Sequence, residues 1–395
     1  MTLSNLPVSY CTNVHPGRTV AEIVAGLTEH TAVANQMLDR SIAAGLWFSA
    51  TAVEELSKDK QSLELLAQTL WQHDLSCYTL NTFPFGDFHS ERVKENVYLP
   101  DWTTAERTTY TKTCARLLAQ LMPPEGEGSL STVPLGGAMN PSGPEFHSQC
   151  IANLLEMARY LAQLREETGR TIRLAIEPEP HCHLSSTERT TLPFFEMFYR
   201  EAQQQGCEDQ ARMFVGLCFD ICHQAVEFED VQQSVNAIRD ADIRINKVHI
   251  SSAVELTSPA SNAEGRLALQ SFVEPRYLHQ TFAKLSDGEI LSRTDLLQDD
   301  IAREPADKFM LADAWRVHFH VPIDQSTLGP LTTTRSEIPR TLQAVYELPY
   351  APHLEVETYT WPVMPGVTDQ DQALATRIAG ELATAMKMID DARQS

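Results

Sequence analysis

The sequence predicts an α/β protein of the (β/α)8 barrel class, and three observations carry that expectation. Strand-like and helix-like segments alternate through most of the 395 residues. The first strand-like segment, 8–15, turns through Pro16 and Gly17 straight into a helical pattern, without the Gly-rich phosphate turn of a doubly wound sheet. Several apolar strands end abruptly in carboxylates or imidazoles, and a barrel brings the ends of its parallel strands together at one rim. The plainest case is TIRLAIEPEPHCH at 171–183. Alternation puts Ala175 and Glu177 on one face and Leu174 and Ile176 on the other, and Pro178 stops the ladder directly after the glutamate.

The remaining elements follow in order. Val20, Ile23, Val24 and Leu27 share one face of the helix after the first strand. A second strand at 46–50 precedes a helix with Leu63, Leu66 and Leu70 in one stripe, and a third at 77–83 runs into a long loop, 84–102. A helix at 104–121 leads to a short strand at 130–135 and the turn at Gly136 and Gly137. The next helix carries Ile151, Leu154, Leu155, Ala158, Leu161 and Ala162 at helical spacing, with Gly169 as its stop signal. After the Glu177 strand come a helix at 192–205, a strand at 214–223, a helix at 231–239 and a strand at 245–251.

Residues 253–312 break this rhythm with charged, turn-rich sequence. Simple βα loops run to roughly 2–6 residues, so the segment reads as an inserted lid or subdomain before the penultimate strand, 315–322. The last strand is 353–359, and a closing helix carries Leu374, Ile378, Leu382 and Met386. These are nine strand candidates for eight barrel places, so one is an accessory strand.

Composition narrows the function classes. A chain with 43% hydrophobic residues buries a large core, and the alternating pattern favours one barrel domain over 1–395. The formal charge of -22 argues against nucleic acid and anionic membrane surfaces as partners. Eight cysteines without a CxxC pair suit free thiols in a reducing compartment, and neither a signal peptide nor an apolar run of membrane-spanning length is visible. These features predict a cytoplasmic protein with a small-molecule partner and no membrane insertion.

The candidate ligands fall at strand ends: Glu177, Asp220 with His223, His249, and Glu357. Mixed carboxylate and imidazole donors suit a divalent transition ion and leave positions open for substrate. Asp220 alone would serve as a helix cap and His249 alone as a hydrogen-bonded core histidine; their joint placement at strand ends is what points to a metal. Glu355 is the rival of Glu357, because both point to the same face, and Glu357 lies nearer the rim. Lys247 shares the face of His249 one pleat deeper, where it would touch substrate or neutralise carboxylates.

This pattern resembles that of the xylose-isomerase-like barrels, which include sugar epimerases, hydroxypyruvate isomerase and the AP endonuclease IV group. More narrowly, YCTNVHPG at 10–17, YTLNTFPFGDFH at 78–89, RVKE at 92–95 with YLPDW at 98–102, FDICHQAVEFE at 219–229 and ETYTWP at 357–362 resemble the EboE metabolite-traffic proteins. The resemblance covers nearly the whole chain. It implies a divalent metal (Zn, Mn, Co or Mg) on Glu177, Asp220, His249 and Glu357, and it places His223 toward substrate or a second metal. His318 and His320 resemble the Asp-x-His pair that serves a further metal in the endonuclease group, with His318 at the aspartate position. His223, His318 and His320 are therefore the expected second-metal set. Family context also implies bacterial operons for moving or finishing a small metabolite, with other proteins of that pathway as partners.

Two glutamates flanking a metal suggest proton transfer beside a polarised carbonyl, one carboxylate removing the α-proton and the other returning a proton. Glu177 and Glu357 are the expected acid/base pair. His223, His320, Arg276 from the inserted segment, and His15 and His89 on rim loops are the expected substrate contacts. The leading expectation is a metal-dependent isomerase, epimerase or lyase for a small polyhydroxylated or keto metabolite. A metal-containing metabolite carrier without turnover is the alternative, and an AP-endonuclease-like hydrolase is disfavoured by charge.

Overall fold

Every residue in the eight strands of the central barrel is buried except Glu127, as expected of parallel strands covered by helices outside and by side chains within. The computed structural model describes residues 3–124, 126–138, 143–301, 307–365 and 371–394. Strands β1 (Ser9–Cys11), β2 (Ala43–Trp47), β3 (Thr79–Asn81), β4 (Glu127–Thr132), β5 (Thr171–Ile176), β6 (Val215–Asp220) and β7 (Ile245–Ile250) run in order around the barrel. The chain then leaves to build β8 (Ala253–Thr257), β9 (Thr281–Lys284), β10 (Ile290–Arg293), β11 (Ala314–His320), β12 (Thr327–Leu328) and β13 (Leu331–Thr333). It returns with β14 (His353–Val356), which closes the barrel between β7 and β1.

The accessory strand among the nine candidates is β11. It pairs antiparallel with β8 and β9 in a six-stranded sheet of order β10-β9-β11-β8-β13-β12. The insertion thus precedes the last barrel strand rather than the penultimate one, and its sheet extends to Thr333 instead of ending at 312. The reason is physical: an alternating strand looks the same whether a barrel or an antiparallel sheet supplies its neighbours. This sheet buries its own apolar cluster, including Leu256, Phe272, Trp315, Val317, Phe319 and Leu331.

Local signals account for the helices. Thr104 caps Ala105–Leu121 by accepting the Arg107 N–H, and Asp230 caps Val231–Asp240 by accepting the Gln232 and Gln233 N–H groups. Pro144–Thr168 opens on its proline and stops at Gly169, whose φ of 71° needs glycine. The strands end earlier than their apolar runs suggest. Glu177 and Glu357 each stand just past the final paired residue of a strand, on backbone already leaving the ladder.

The barrel interior is polar. Ser9 Oγ donates to Glu355 Oε2 (2.7 Å), Lys247 Nζ lies 2.6 Å from Glu355 Oε1 and 3.3 Å from Ser131 Oγ, and Thr79 and Ser129 share a hydrogen bond. Gly45 makes room for this network: a Cβ there would stand 1.5 Å from Glu355 Oε2 and 2.7 Å from Ser9 Oγ. Gly45→Ala should destabilise the fold by about 3 kcal/mol or more, because it overpacks the barrel and disturbs a buried ion pair. The denaturation midpoint measures this, with Gly86→Ala, which meets nothing within 4 Å, as the control that should stay within about 1 kcal/mol.

Candidate metal centre

Four donors from four strand ends meet at the C-terminal mouth of the barrel. One ligand atom each from Glu177, Asp220, His249 and Glu357 lies within 4.8 Å of all the others, and all four residues are buried. His249 is the hub. Its Nδ1 stands 3.0 Å from Glu177 Oε1, 3.1 Å from Glu357 Oε2 and 3.4 Å from Asp220 Oδ2. Its Nε2 is 3.2 Å from Glu355 Oε1 on the other side. With the Nε2 proton donated to Glu355, the Nδ1 lone pair faces three carboxylate oxygens.

Asp220 and Glu357 are each oriented through one oxygen and offer the other. Asp220 Oδ1 accepts His223 N–H at the start of the helix Ile221–Val226 and the Ser251 hydroxyl (2.8 Å), which leaves Oδ2 without a partner. Asp220 is therefore both a helix cap and a candidate ligand. Glu357 Oε1 accepts Asn13 Nδ2 and Asn81 Nδ2, both at 2.8 Å, so its Oε2 faces His249. Glu177 Oε2 is buried and unpartnered. Glu355, the rival of Glu357, is committed below to Lys247, Ser9 and His249. Burial raises its carboxyl, but Lys247 and His249 outweigh that and hold it down to about 2.

The donor set fits a divalent ion. Ligands about 2.0–2.2 Å from a common ion stand roughly 3.0–3.4 Å from one another, the spacing found around His249 Nδ1. Protonating Nδ1 would satisfy only one of its three carboxylate neighbours, whereas a divalent cation answers all three. For Asp220, burial opposes charge, yet His223, His320 and His249 together hold the carboxyl well below the usual range.

A second group of donors adjoins the first. His223 Nδ1 donates to the Pro178 carbonyl (2.9 Å), His318 Nδ1 to Gln280 Oε1 (2.8 Å) and His320 Nδ1 to the Glu357 carbonyl (2.9 Å). All three imidazoles thus turn Nε2 inward, toward one another and Asp220. His223 and His318 bring theirs to 3.1 Å, and His320 Nε2 is buried without a partner, 3.9 Å from Asp220 Oδ2. His318 and His320 arrive from the accessory sheet, where the β11 register shifts between Val317 and His320.

Above these donors lies a cavity walled by Phe83, Phe88, Tyr98, Tyr277 and Tyr359 over a floor of Glu177, Glu179, Glu357, His223 and His318. No protein-family model matches the sequence, and no curated protein matches it. Similar solved structures include a protein from Anabaena variabilis described as a sugar phosphate isomerase/epimerase, 12% identical, covering 98% of this chain and 100% of that chain at a TM-score of 0.49. The IolI protein with a bound zinc atom is 14% identical, with 98% of each chain covered and a TM-score of 0.47. An AP endonuclease of family 2 from Brucella melitensis is 14% identical over 62% of this chain and 79% of that one, at 0.39. At these values the chain's own geometry has to carry the functional reading.

Three expected substrate contacts lie elsewhere. His15 is buried behind the rim, stacked on His30 at 4.7 Å, because the first strand ends at Cys11 and a short turn carries His15 outward. His89 donates through Nε2 to the Asn13 carbonyl (2.8 Å) and so pins one rim loop to another. Arg276 stands over the Tyr277 ring at 5.9 Å, and its carbonyl accepts the N–H groups of Val93 and Lys94. Its contribution to the mouth comes through its backbone.

Sequence reasoning missed Asn13, Asn81 and Glu179. Both asparagines lie inside strand-like runs, at 8–15 and 77–83, and reach the mouth because the strands themselves stop at Cys11 and Asn81. Glu179 accepts from Tyr98 OH (2.8 Å) and Gln280 Nε2 (3.1 Å), and burial, opposed chiefly by His223, pushes its carboxyl up to about 7. Asp220→Asn keeps an N-cap acceptor but removes the charge. It should weaken divalent-metal binding about tenfold or more, measured by metal analysis after chelation and reloading. Unchanged affinity would remove Asp220 from the ligand set.

Proposed function

We propose that the chain is a metal-dependent enzyme of the isomerase, epimerase or lyase type, acting on a small polyhydroxylated or keto metabolite. The observation that carries this reading is the convergence of Glu177, Asp220, Glu357 and His249 Nδ1 on one point beneath a cavity to which Glu179 adds one further carboxyl group. Glu177, Asp220, His249 and Glu357 would hold a divalent ion (Zn, Mn, Co or Mg), and His223, His318 and His320 would hold a second. The motif resemblance supports a place in an EboE-type metabolite-traffic or biosynthetic pathway.

A bound divalent ion supplies Lewis-acid polarisation of a substrate carbonyl. The protein's own groups then move the proton. Glu177 and Glu357 approach the cavity floor from β5 and β14, on different sides of His249, so one takes the α-proton and the other returns one to the opposite face. Asn13 and Asn81 aim Glu357 by donating to its Oε1, and although burial raises its carboxyl, His249 and His320 outweigh that and hold it below its usual range. Glu179 adds a carboxyl with both protonation states populated near neutral pH, which suits a proton reservoir beside the pair.

The test is exchange of a carbon-bound substrate hydrogen with deuterium oxide under saturating metal. Wild type should label the α-carbon of a bound hydroxyketone, and Glu357→Gln should lose about a hundredfold or more of that rate while ligand still binds. Glu179→Gln should slow exchange with metal content unchanged. Absence of label from any ligand that binds wild type would leave the carrier reading in place.

A further inference from the structure

The cavity walls and the charge at its mouth say what kind of molecule enters. Lys94 is the one lysine or arginine among the described residues that line the cavity. Its ammonium lies 2.6 Å from Asp295 of the inserted segment, with the two side chains only 10% and 21% exposed. Asp295 is itself held by the His279 backbone N–H (2.9 Å). The lysine therefore meets the cavity as half of a neutral pair. Below it, Glu179, which lies outside the four-donor set, adds a carboxyl to the floor. A phosphate group entering here would find the one ammonium in the lining already paired with Asp295 and held against apolar walls.

The upper walls are apolar. Phe88, Tyr277 and Tyr359 pack with ring centroids 5.0–5.3 Å apart in a cluster with Val93 and Trp47, and Phe83, Val97, Tyr98 and Leu278 complete the enclosure. Trp47 ends β2 and the others come from the loops after β3 and β14 and from the insertion, whereas the polar floor comes from strand ends and β11. The cavity is thus polar at its base and aromatic above.

We infer that the substrate is a neutral, unphosphorylated hydroxy-carbonyl compound carrying an apolar ring or chain, and that the Lys94–Asp295 pair excludes phosphorylated analogues. The hydroxy-carbonyl end reaches the strand-end donors and the apolar end fills the aromatic upper cavity. This rests on the reading of the site as one that binds a small keto metabolite, and it names the class within it.

The test uses three probes that share one hydroxyketone group: dihydroxyacetone, dihydroxyacetone phosphate and 2-hydroxyacetophenone. Binding to metal-loaded wild type is measured by calorimetry. The aryl compound should bind about tenfold or more tighter than dihydroxyacetone, since burying a ring against apolar walls is worth at least that factor, and the phosphate should bind no better than dihydroxyacetone. Asp295→Asn keeps the acceptor for the His279 N–H and removes the charge facing Lys94. It should tighten dihydroxyacetone phosphate about tenfold and leave the aryl compound unchanged. A wild type that prefers the phosphate, or that binds none of the probes, would overturn the inference. So would a folded Asp295→Asn, checked by circular dichroism, that gains nothing for the phosphate; if the variant does not fold, the wild-type order alone decides. The same order of probes in protein that retains no metal would support the substrate class while removing the metal-dependent reading of the site.

Discussion

The structure depends on placing carboxylates in a dry barrel mouth. Glu177, Glu179, Asp220, Glu355 and Glu357 are each at most 6% exposed and come within a few ångströms of one another's partners. Removing such charges from water costs several kcal/mol apiece unless a counter-charge and hydrogen bonds replace the solvent. Lys247, fully buried, answers one of them by pairing with Glu355. Its ammonium stays charged because Glu355 outweighs the burial that would otherwise lower its pKa. Gly45, Ser9, Ser251, Asn13 and Asn81 can each be understood from this constraint, since every one makes space for a carboxylate or donates to one.

The layers below and above the donors do different work. Underneath, Lys247 and Glu355 fix the tautomer of His249 and so decide which nitrogen faces the cavity. Above, the insertion brings Gln280, which ties Tyr98, Glu179 and His318 into one network. A segment that departs from the barrel after β7 thereby contributes imidazoles to the barrel's own mouth. Its sheet is part of the site rather than a cover over it.

How much of this was legible in the sequence follows from what each signal reports. Strand ends in Glu177, Asp220, His249 and Glu357 were readable because hydrophobic runs stopping at carboxylates are rare without a reason. Rim distance favours Glu357 over Glu355, and Glu355 pairs with Lys247 and Ser9 in the layer beneath. Histidines in loops were not readable. His15 and His89 carry the same residue type as His318 and His320, but their direction depends on turns that local pattern does not encode. The ninth strand had the same difficulty: alternation records two faces and not the identity of the neighbours. Glu179 was hidden by its irregular EPEP setting, since its burial comes from Tyr98 and Gln280, which lie far away in sequence.

One carboxylate links the two donor groups. Asp220 belongs both to the set with Glu177, His249 and Glu357 and to the set with His223 and His320. The first set is rich in oxygen and the second in imidazole, so they present different hardness to a metal. Filling either group would neutralise part of the charge on Asp220 and reduce what it offers to the other. Opposing that, each ion would also fix side chains that the neighbouring group needs, notably His223 on the helix that Asp220 caps. The chain connectivity favours the second effect. His318 and His320 are delivered by a sheet with its own apolar cluster, so their positions do not wait on metal, whereas Asp220, His223 and Ser251 are bound to one another within the barrel. An ion held on the barrel side would therefore leave His223, on the helix that Asp220 caps, aligned for the imidazole side.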